Sequence, residues 1–377
     1  MIEAPGFLWT VLFFILAIGP LVFVHELGHY LVGRWFGVKA DVFSIGFGTE
    51  IAGWTDKKGT RWKIGWVPLG GYVRFAGDMN PASVADPEWQ KLPVAERNQT
   101  FQSKTLWQRA LIVAAGPVTN FIVAFLILTG FALAYGDSRT PSVISEILAG
   151  SAADKAGLQK GDMITQIDGH AIQRFDDIYP LVMERAGEPL SVAFIRNGTS
   201  GIRIITPETV RETDRFGNIY KIGRIGIGPP QPVIVGVSLW EAPKIATQRL
   251  VSILRQMVTG IVQIITGKRP IEELGGPIKI AQISGQVATL GWQNFISLVA
   301  MISINLGFIN LLPIPMLDGG HLSFYALEAI RRKPTSPRVM EMAFRSGMVA
   351  LLGLMVLVTF NDLVSLGIWS RLAGLIG

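Results

Sequence analysis

Val24-His25-Glu26-Leu27-Gly28-His29 is the stretch on which the reading of this chain turns. It lies inside an apolar run from about Phe7 to Gly33, which at 1.5 Å per residue spans roughly 40 Å, enough to cross a bilayer with some tilt. Two imidazoles and a carboxylate are costly in lipid, so ionisable groups at this depth imply a functional site. The spacing His-Glu-x-x-His puts His25 and His29 on one helix face, where both rings can hold one metal ion while Glu26 stands beside its water. A chance match on a soluble helix could satisfy such groups with water, whereas a lipid-buried helix could not. The chain has four histidines, and two of them are here. The pattern implies metal-dependent hydrolysis within a membrane.

Composition agrees. Of 377 residues, 49% are hydrophobic and 16% charged, against about 25% charged in an average soluble domain. The chain has room for two or three domains and reads as a multi-span membrane protein with one polar portion. With no cysteine, a disulfide framework is excluded and metal ligands must be nitrogen and oxygen. The net charge of +6 is modest and shows no nucleic-acid signature. Met1 to Gly6 carries Glu3 and no basic residue, and the apolar run continues without a small-residue cleavage site. The first span is therefore expected to be retained rather than removed as a signal peptide.

Four transmembrane helices are expected: 7–33, 111–134, 295–328 (interrupted by Pro313 and Pro315) and 347–369. Lys39, Lys57, Lys58, Arg61, Lys63, Arg74, Lys104 and Arg109 crowd the segment between the first two spans. Arg331, Arg332, Lys333, Arg338 and Arg345 crowd the segment between the last two. Both segments are read as cytosolic, which leaves the N-terminus, 135–294 and the C-terminus on the other side. His29 and Asp318 then both fall at the cytosolic ends of their spans. Leu250–Thr266 is a rival span, but it holds Arg255 and Gln263, and counting it would reverse the third span and move Asp318 away. The region 231–294 is expected instead to hold an amphipathic helix on the outer membrane surface, over 238–266, with Lys244, Arg249 and Arg255 on its polar side.

Residues 138–228 are the polar portion. Short strands, two short helices and the hairpin signal Asn197-Gly198 fit one small β-rich domain. Residues 41–77, rich in glycine and aromatics, alternate apolar with polar around Arg61-Trp62-Lys63-Ile64-Gly65-Trp66 and read as a hairpin or small sheet beside the membrane.

Two histidines leave a catalytic zinc one protein ligand short. Asp318, in Asn310-Leu-Leu-Pro-Ile-Pro-Met-Leu-Asp318-Gly-Gly-His321, is the leading third ligand. The bland reading of Asp318 is a helix cap, and His321 is the competitor. Zinc would bring its water to a pKa of about 7, with Glu26 as the base that takes the proton and passes it to the leaving amine. Asn305 and Asn310 could orient a peptide or support an oxyanion, and interhelical hydrogen bonding would explain them equally well. Pro313 and Pro315 break the helix, which at membrane depth is tolerated only where backbone lines a cavity or is buried in protein. Gly116-Pro117-Val118-Thr119-Asn120 reads either as close packing beside the metal helix or as a simple kink.

Taken together, His25-Glu26-Leu27-Gly28-His29, Gly116 to Asn120 and Asn310 to Gly319 resemble the site-2 protease family of intramembrane zinc metalloproteases. The segment 61–77 is similar to that family's membrane re-entrant β-loop, and 138–228 resembles a PDZ domain, most clearly at Gly157-Leu158-Gln159-Lys160-Gly161-Asp162. The resemblance implies a four-span α-helical core with a β-loop and an inserted PDZ domain. It implies one Zn2+ per chain held by His25, His29 and Asp318, Glu26 as base, and Asn305 and Asn310 on the substrate backbone. The β-loop would pair with an unfolded substrate segment by strand addition. Expected substrates are single-span membrane proteins, anti-sigma-factor-like or remnant signal peptides, already shortened by a separate first-cut protease. The expected setting is a bacterial inner membrane, with the PDZ domain periplasmic and the active site near the cytosolic side. Some family members carry two tandem PDZ domains, and this chain has room for one. Rival readings are a non-catalytic PDZ-bearing scaffold, which has no need of Glu26 and Asp318 at one depth, and a zinc transporter or sensor, which would want more carboxylates and histidines in its spans.

Overall fold

Each long apolar run of the sequence forms a helix in a computed structural model of the chain, which describes residues 5–78, 87–183, 185–213, 219–267 and 275–365. In chain order come α1 (Phe7–Trp35), β1 (Ala40–Thr55), β2 (Arg61–Phe75), the single turn α2 (Val94–Arg97) and α3 (Leu106–Tyr135). Next are β3 (Asp137–Arg139), β4 (Glu146–Ile147), α4 (Ala152–Lys155), β5 (Met163–Ile167), β6 (His170–Ala171) and α5 (Ile178–Met183). They are followed by β7 (Leu190–Arg196), β8 (Thr199–Ile205), β9 (Glu208–Thr213), β10 (Ile219–Arg224), β11 (Ile227–Gly228) and β12 (Val233–Val235). The chain closes with α6 (Ala242–Ile265), α7 (Pro277–Thr289), α8 (Trp292–Asn310), α9 (Asp318–Arg331) and α10 (Pro337–Ser365). Two units result, one of residues 1–130 with 243–377 and one of 131–242.

In the first unit, α1, α3, α8 and residues 338–364 of α10 are long and apolar enough to cross a membrane. The third expected span is corrected. Helix α8 ends at Asn310 instead of running to 328, because Pro313 and Pro315 remove backbone donors, and a separate, more polar helix starts at Asp318. Helix α10 starts at Pro337, well before the expected 347. Positions 366–369 of the expected fourth span lie outside the described residues.

Small residues let the helices meet. A β-carbon on Gly28 would stand 2.6 Å from the Ala115 carbonyl oxygen and 2.7 Å from Thr119 Oγ1, so α1 and α3 touch backbone to backbone. Helix α6 covers the expected amphipathic stretch and is not one of the four candidate spans. Helix α7 was not separated from that region by sequence. It packs on α1, where Trp9 Nε1–H donates to the Gly285 carbonyl at 3.3 Å. Asp362 of α10 caps it, accepting from the Gly276 and Lys279 amides at 3.0 Å each.

The β-loop is more folded than a plain hairpin. Residues 42–45 of β1 pair both with 71–74 and with 61–64 of β2, while 50–55 pair with 61–65. The turn is held by Asp56, whose carboxylate accepts from the Lys58 and Thr60 amides at 2.8 and 2.9 Å and from Trp62 Nε1 at 3.0 Å. Phe43 anchors this sheet on the helices, stacked 4.3 Å from Trp62 and edge-on to Tyr30 and Phe23 of α1.

The second unit is β-rich, as expected. Its main sheet has the order β6-β5-β7-β8, with β7 and β8 joined at Asn197-Gly198, both at positive φ (49° and 81°) as a tight hairpin turn requires. Ile144, Ile164, Leu190, Val192 and Phe194 are buried in its core. Positions 184 and 214–218 of the expected domain lie outside the described residues.

Candidate metal centre

On α1, His25 and His29 sit one turn apart, and their Nε2 atoms approach to 3.3 Å. The proline break delivers the third group. Because α9 starts at Asp318, its carboxylate lies in the first helical turn, with Oδ2 3.2 Å from His25 Nε2 and 3.5 Å from His29 Nε2. A tetrahedral zinc with bonds of about 2.0–2.1 Å separates its ligand atoms by about 3.3 Å, which matches these three spacings. The far side of His29 is also arranged for a metal: Nδ1–H donates to the Ile112 carbonyl of α3 at 2.9 Å, which leaves the Nε2 lone pair free. Two protonated Nε2 atoms at 3.3 Å would repel each other, and a divalent cation between them removes the conflict. The donor set therefore fits zinc. Among the described residues, His25, His29 and Asp318 are the group with this convergence.

The floor of the site is α3. A β-carbon on Gly116 would stand 2.2 Å from His29 Nε2 and 2.9 Å from His25 Cε1. Thr119 Oγ1 bonds to the Gly116 carbonyl at 2.7 Å and to the Val24 carbonyl of α1 at 3.1 Å. Asn120, fully buried, brings its Nδ2 to 3.0 Å from His25 Nδ1, and its own carbonyl accepts from Ser303 of α8 at 2.7 Å. The 116–120 segment thus supports the site directly. The sequence signal was a glycine and a buried amide within an apolar span, which a kink explains as readily.

The segment that presents Asp318 is tightly folded. β-Carbons on Gly319 and Gly320 would stand 2.3 and 2.4 Å from carbonyl oxygens of residues 311 and 314. Met316 is held at φ 84°, a strained value for a side-chain-bearing residue. Gly347 of α10 closes on it, its β-carbon position 2.5 Å from Pro315 Cβ.

A cavity of about 470 Å³ opens onto the three donors, bordered among others by Glu26, Tyr72, Asn310, Met316 and His321. Glu26 is 9% exposed, with its Cγ under Gly71 of the β-loop and Val73 of the same strand lining the cavity beside it. The structure thus gathers His25, Glu26, His29, Asp318 and Asn310 around one space. Asn305, half-buried on α8, does not border it. His321 does, with its ring packed 4.7 Å from Phe344.

The sequence matches Peptidase family M50 over residues 13–354. It is 44% identical over 372 residues to "Putative zinc metalloprotease Atu1380" of Agrobacterium fabrum, covering 97% of this chain and 99% of that protein. It is 34% identical over 395 residues to "Metalloprotease MmpA" of Caulobacter vibrioides, covering 98% and 99%. Among solved structures, the PDZ domain of the SdrC-like protein of Listeria monocytogenes is 18% identical, covers 25% of this chain and 90% of its own, and has a TM-score of 0.19.

Proposed function

The chain belongs to peptidase family M50, and on that premise we propose that it cuts single-span membrane proteins inside the bilayer after another protease has shortened them. It is a zinc metalloprotease and a multi-pass membrane protein whose substrates are membrane-embedded. The finer reading assigns His25, His29 and Asp318 as the ligands of one zinc ion and Glu26 as the general base. What supports it is the convergence of donors from α1 and α9, far apart in the chain, on a cavity that Glu26 also lines.

Zinc held there supplies a Lewis acid for the scissile carbonyl and a water acidic enough to react near neutral pH. Glu26 takes a proton from the attacking water and delivers it to the leaving amine. Glu26 lines the same cavity as the three donors, beside Gly71 and Val73 of the β-loop. Asn310 borders the same space and can hold the substrate backbone; Asn305, earlier on α8 and outside the cavity lining, is carried as a second candidate for that task on the family resemblance alone. Residues 71–75 of β2, beside Glu26, are the segment against which an unwound substrate would pair as an added strand. The basic segments 39–109 and 331–345 support a site near the cytosolic face, in what we read as a bacterial inner membrane. On that topology residues 138–228, read as a PDZ domain, are periplasmic, with α6 on the outer surface. Substrates of this kind include anti-sigma-factor-like proteins and remnant signal peptides.

The test is purified full-length protein assayed for zinc content and for cleavage of a transmembrane peptide. Glu26→Gln should keep one zinc per chain and lose cleavage by about 10²–10⁴-fold. A Glu26→Gln protein that still cuts, or a wild-type protein that works with no divalent metal, would refute the assignment. A scaffold would be indifferent to the substitution.

A further inference from the structure

We propose that Asn120 is the positioning residue of the metal centre: its side-chain oxygen accepts the Nδ1–H of His25 and so turns the Nε2 lone pair of that ring toward the zinc. This rests on His25 being a zinc ligand and goes beyond it.

The two histidines are held differently. His29 Nδ1 faces the Ile112 carbonyl at 2.9 Å, and a carbonyl can only accept, so that ring has one usable tautomer. His25 Nδ1 faces the Asn120 side-chain amide at 3.0 Å, and an amide can offer either an N–H or an oxygen. With the N–H toward the ring, Nδ1 must accept and Nε2 must carry the proton. That N–H would then point toward His29 Nε2 and Asp318 Oδ2, 3.3 and 3.2 Å away, where the metal has to bind. With the oxygen toward the ring, Nδ1 carries the proton and Nε2 is free to ligate. Hydrogen-bond count does not choose between the two. With Nδ2 on the ring, Oδ1 is buried without a partner, and the reverse orientation merely exchanges which amide atom is left over. The chemistry of a neutral imidazole ligand does choose, and it requires the oxygen.

The residue is built for this task. Asn120 has no exposed surface, and its backbone carbonyl is fixed by the Ser303 hydroxyl of α8 at 2.7 Å. One turn earlier, Gly116 lies against both rings. Helix α3 therefore supplies both outer partners, the Ile112 carbonyl and Asn120, to the two histidines of α1.

The experiment measures Zn2+ affinity of the full-length protein in detergent by competition with a chromophoric chelator, and the absorption bands of bound Co2+. The variants are Asn120→Leu, Asn120→Asp and His25→Ala, with thermal midpoints recorded for each. Asn120→Leu should weaken Zn2+ binding by about 10–100-fold and alter the Co2+ bands. Asn120→Asp, which can accept but not donate, should bind within a few-fold of wild type. Wild-type affinity in Asn120→Leu would overturn the proposal. So would Asn120→Asp falling as far as Asn120→Leu at an unchanged midpoint, since that would make Asn120 a donor or a packing group. His25→Ala separates the layers. Undiminished affinity there removes His25 as a ligand altogether, whereas its loss beside an unaffected Asn120→Leu removes this inference alone.

Discussion

Gly116 of α3 faces His29 of α1 so closely that a β-carbon at position 116 would stand 2.2 Å from Nε2. No rotamer change can relieve such a contact without moving the imidazole off its hydrogen bond to Ile112. Gly116→Ala should therefore cost activity by about 10²-fold, the scale of an ångström-sized misplacement, with a parallel loss of zinc. Metal content and cleavage rate of the purified variant check this, and normal zinc with normal rate would contradict it.

Asp318 and His321 share the first turn of α9, but the Asp318 carboxylate is the group that lies 3.2 and 3.5 Å from the two imidazoles. Asp318→Asn should lose most of its zinc, and His321→Asn should retain it. Elemental analysis of the two proteins decides which residue is the third ligand. Full occupancy in Asp318→Asn would transfer that role elsewhere.

In the second unit, Asp162 has no exposed surface. Burial opposes its charge, but two bonds from Arg196, at 2.6 and 2.7 Å, and one from the Gln159 amide, at 2.8 Å, more than offset this and hold the carboxyl below the usual range. A folded-state pKa that is lowered contributes stability above the unfolded value, about 3.9, and loses it as pH falls through the folded value. Wild type should thus melt above Asp162→Asn at neutral pH, and the gap should close as the pH drops below about 4. A gap that stays constant on acidification would remove the carboxylate from the stability of this unit.

If residues 138–228 screen substrates by size, deleting them should let the remaining protein cut full-length substrates that it otherwise ignores. If they capture a peptide end, the deletion should abolish cutting. We expect the first outcome, scored by cleavage of substrate that has not been pre-cut.

Much of the site could be read from residue order because lipid makes polar residues conspicuous. His25, Glu26, His29 and Asp318 stand out as costly groups in apolar surroundings, and the prolines at 313 and 315 mark the helix break that lets Asp318 arrive. The extent of that break was not legible. Apolar residues continue on both sides of Pro313, so composition alone joined α8 to α9 into one span. Asn120 was not singled out for a related reason: the segment Gly116 to Asn120 reads equally as close packing or as a kink, and the 3.0 Å approach of its amide to His25 is visible only in the fold. Helix α7 was missed because its anchor, the Asp362 cap, is more than eighty residues away in sequence. The doubled pairing of 42–45 likewise depends on glycine-allowed bends that alternation does not reveal.

The donors on α1 and α9 are separated by most of the polypeptide, so a cation bound between them would act as a clasp on the whole helical assembly. By linkage, an ion at a thousandfold excess over its Kd adds about 4 kcal/mol to the resistance of that assembly against coming apart. Chelation should then do more than silence the enzyme: it should lower the melting midpoint and open α1 and α9 to hydrogen exchange, and returning Zn2+ should reverse both.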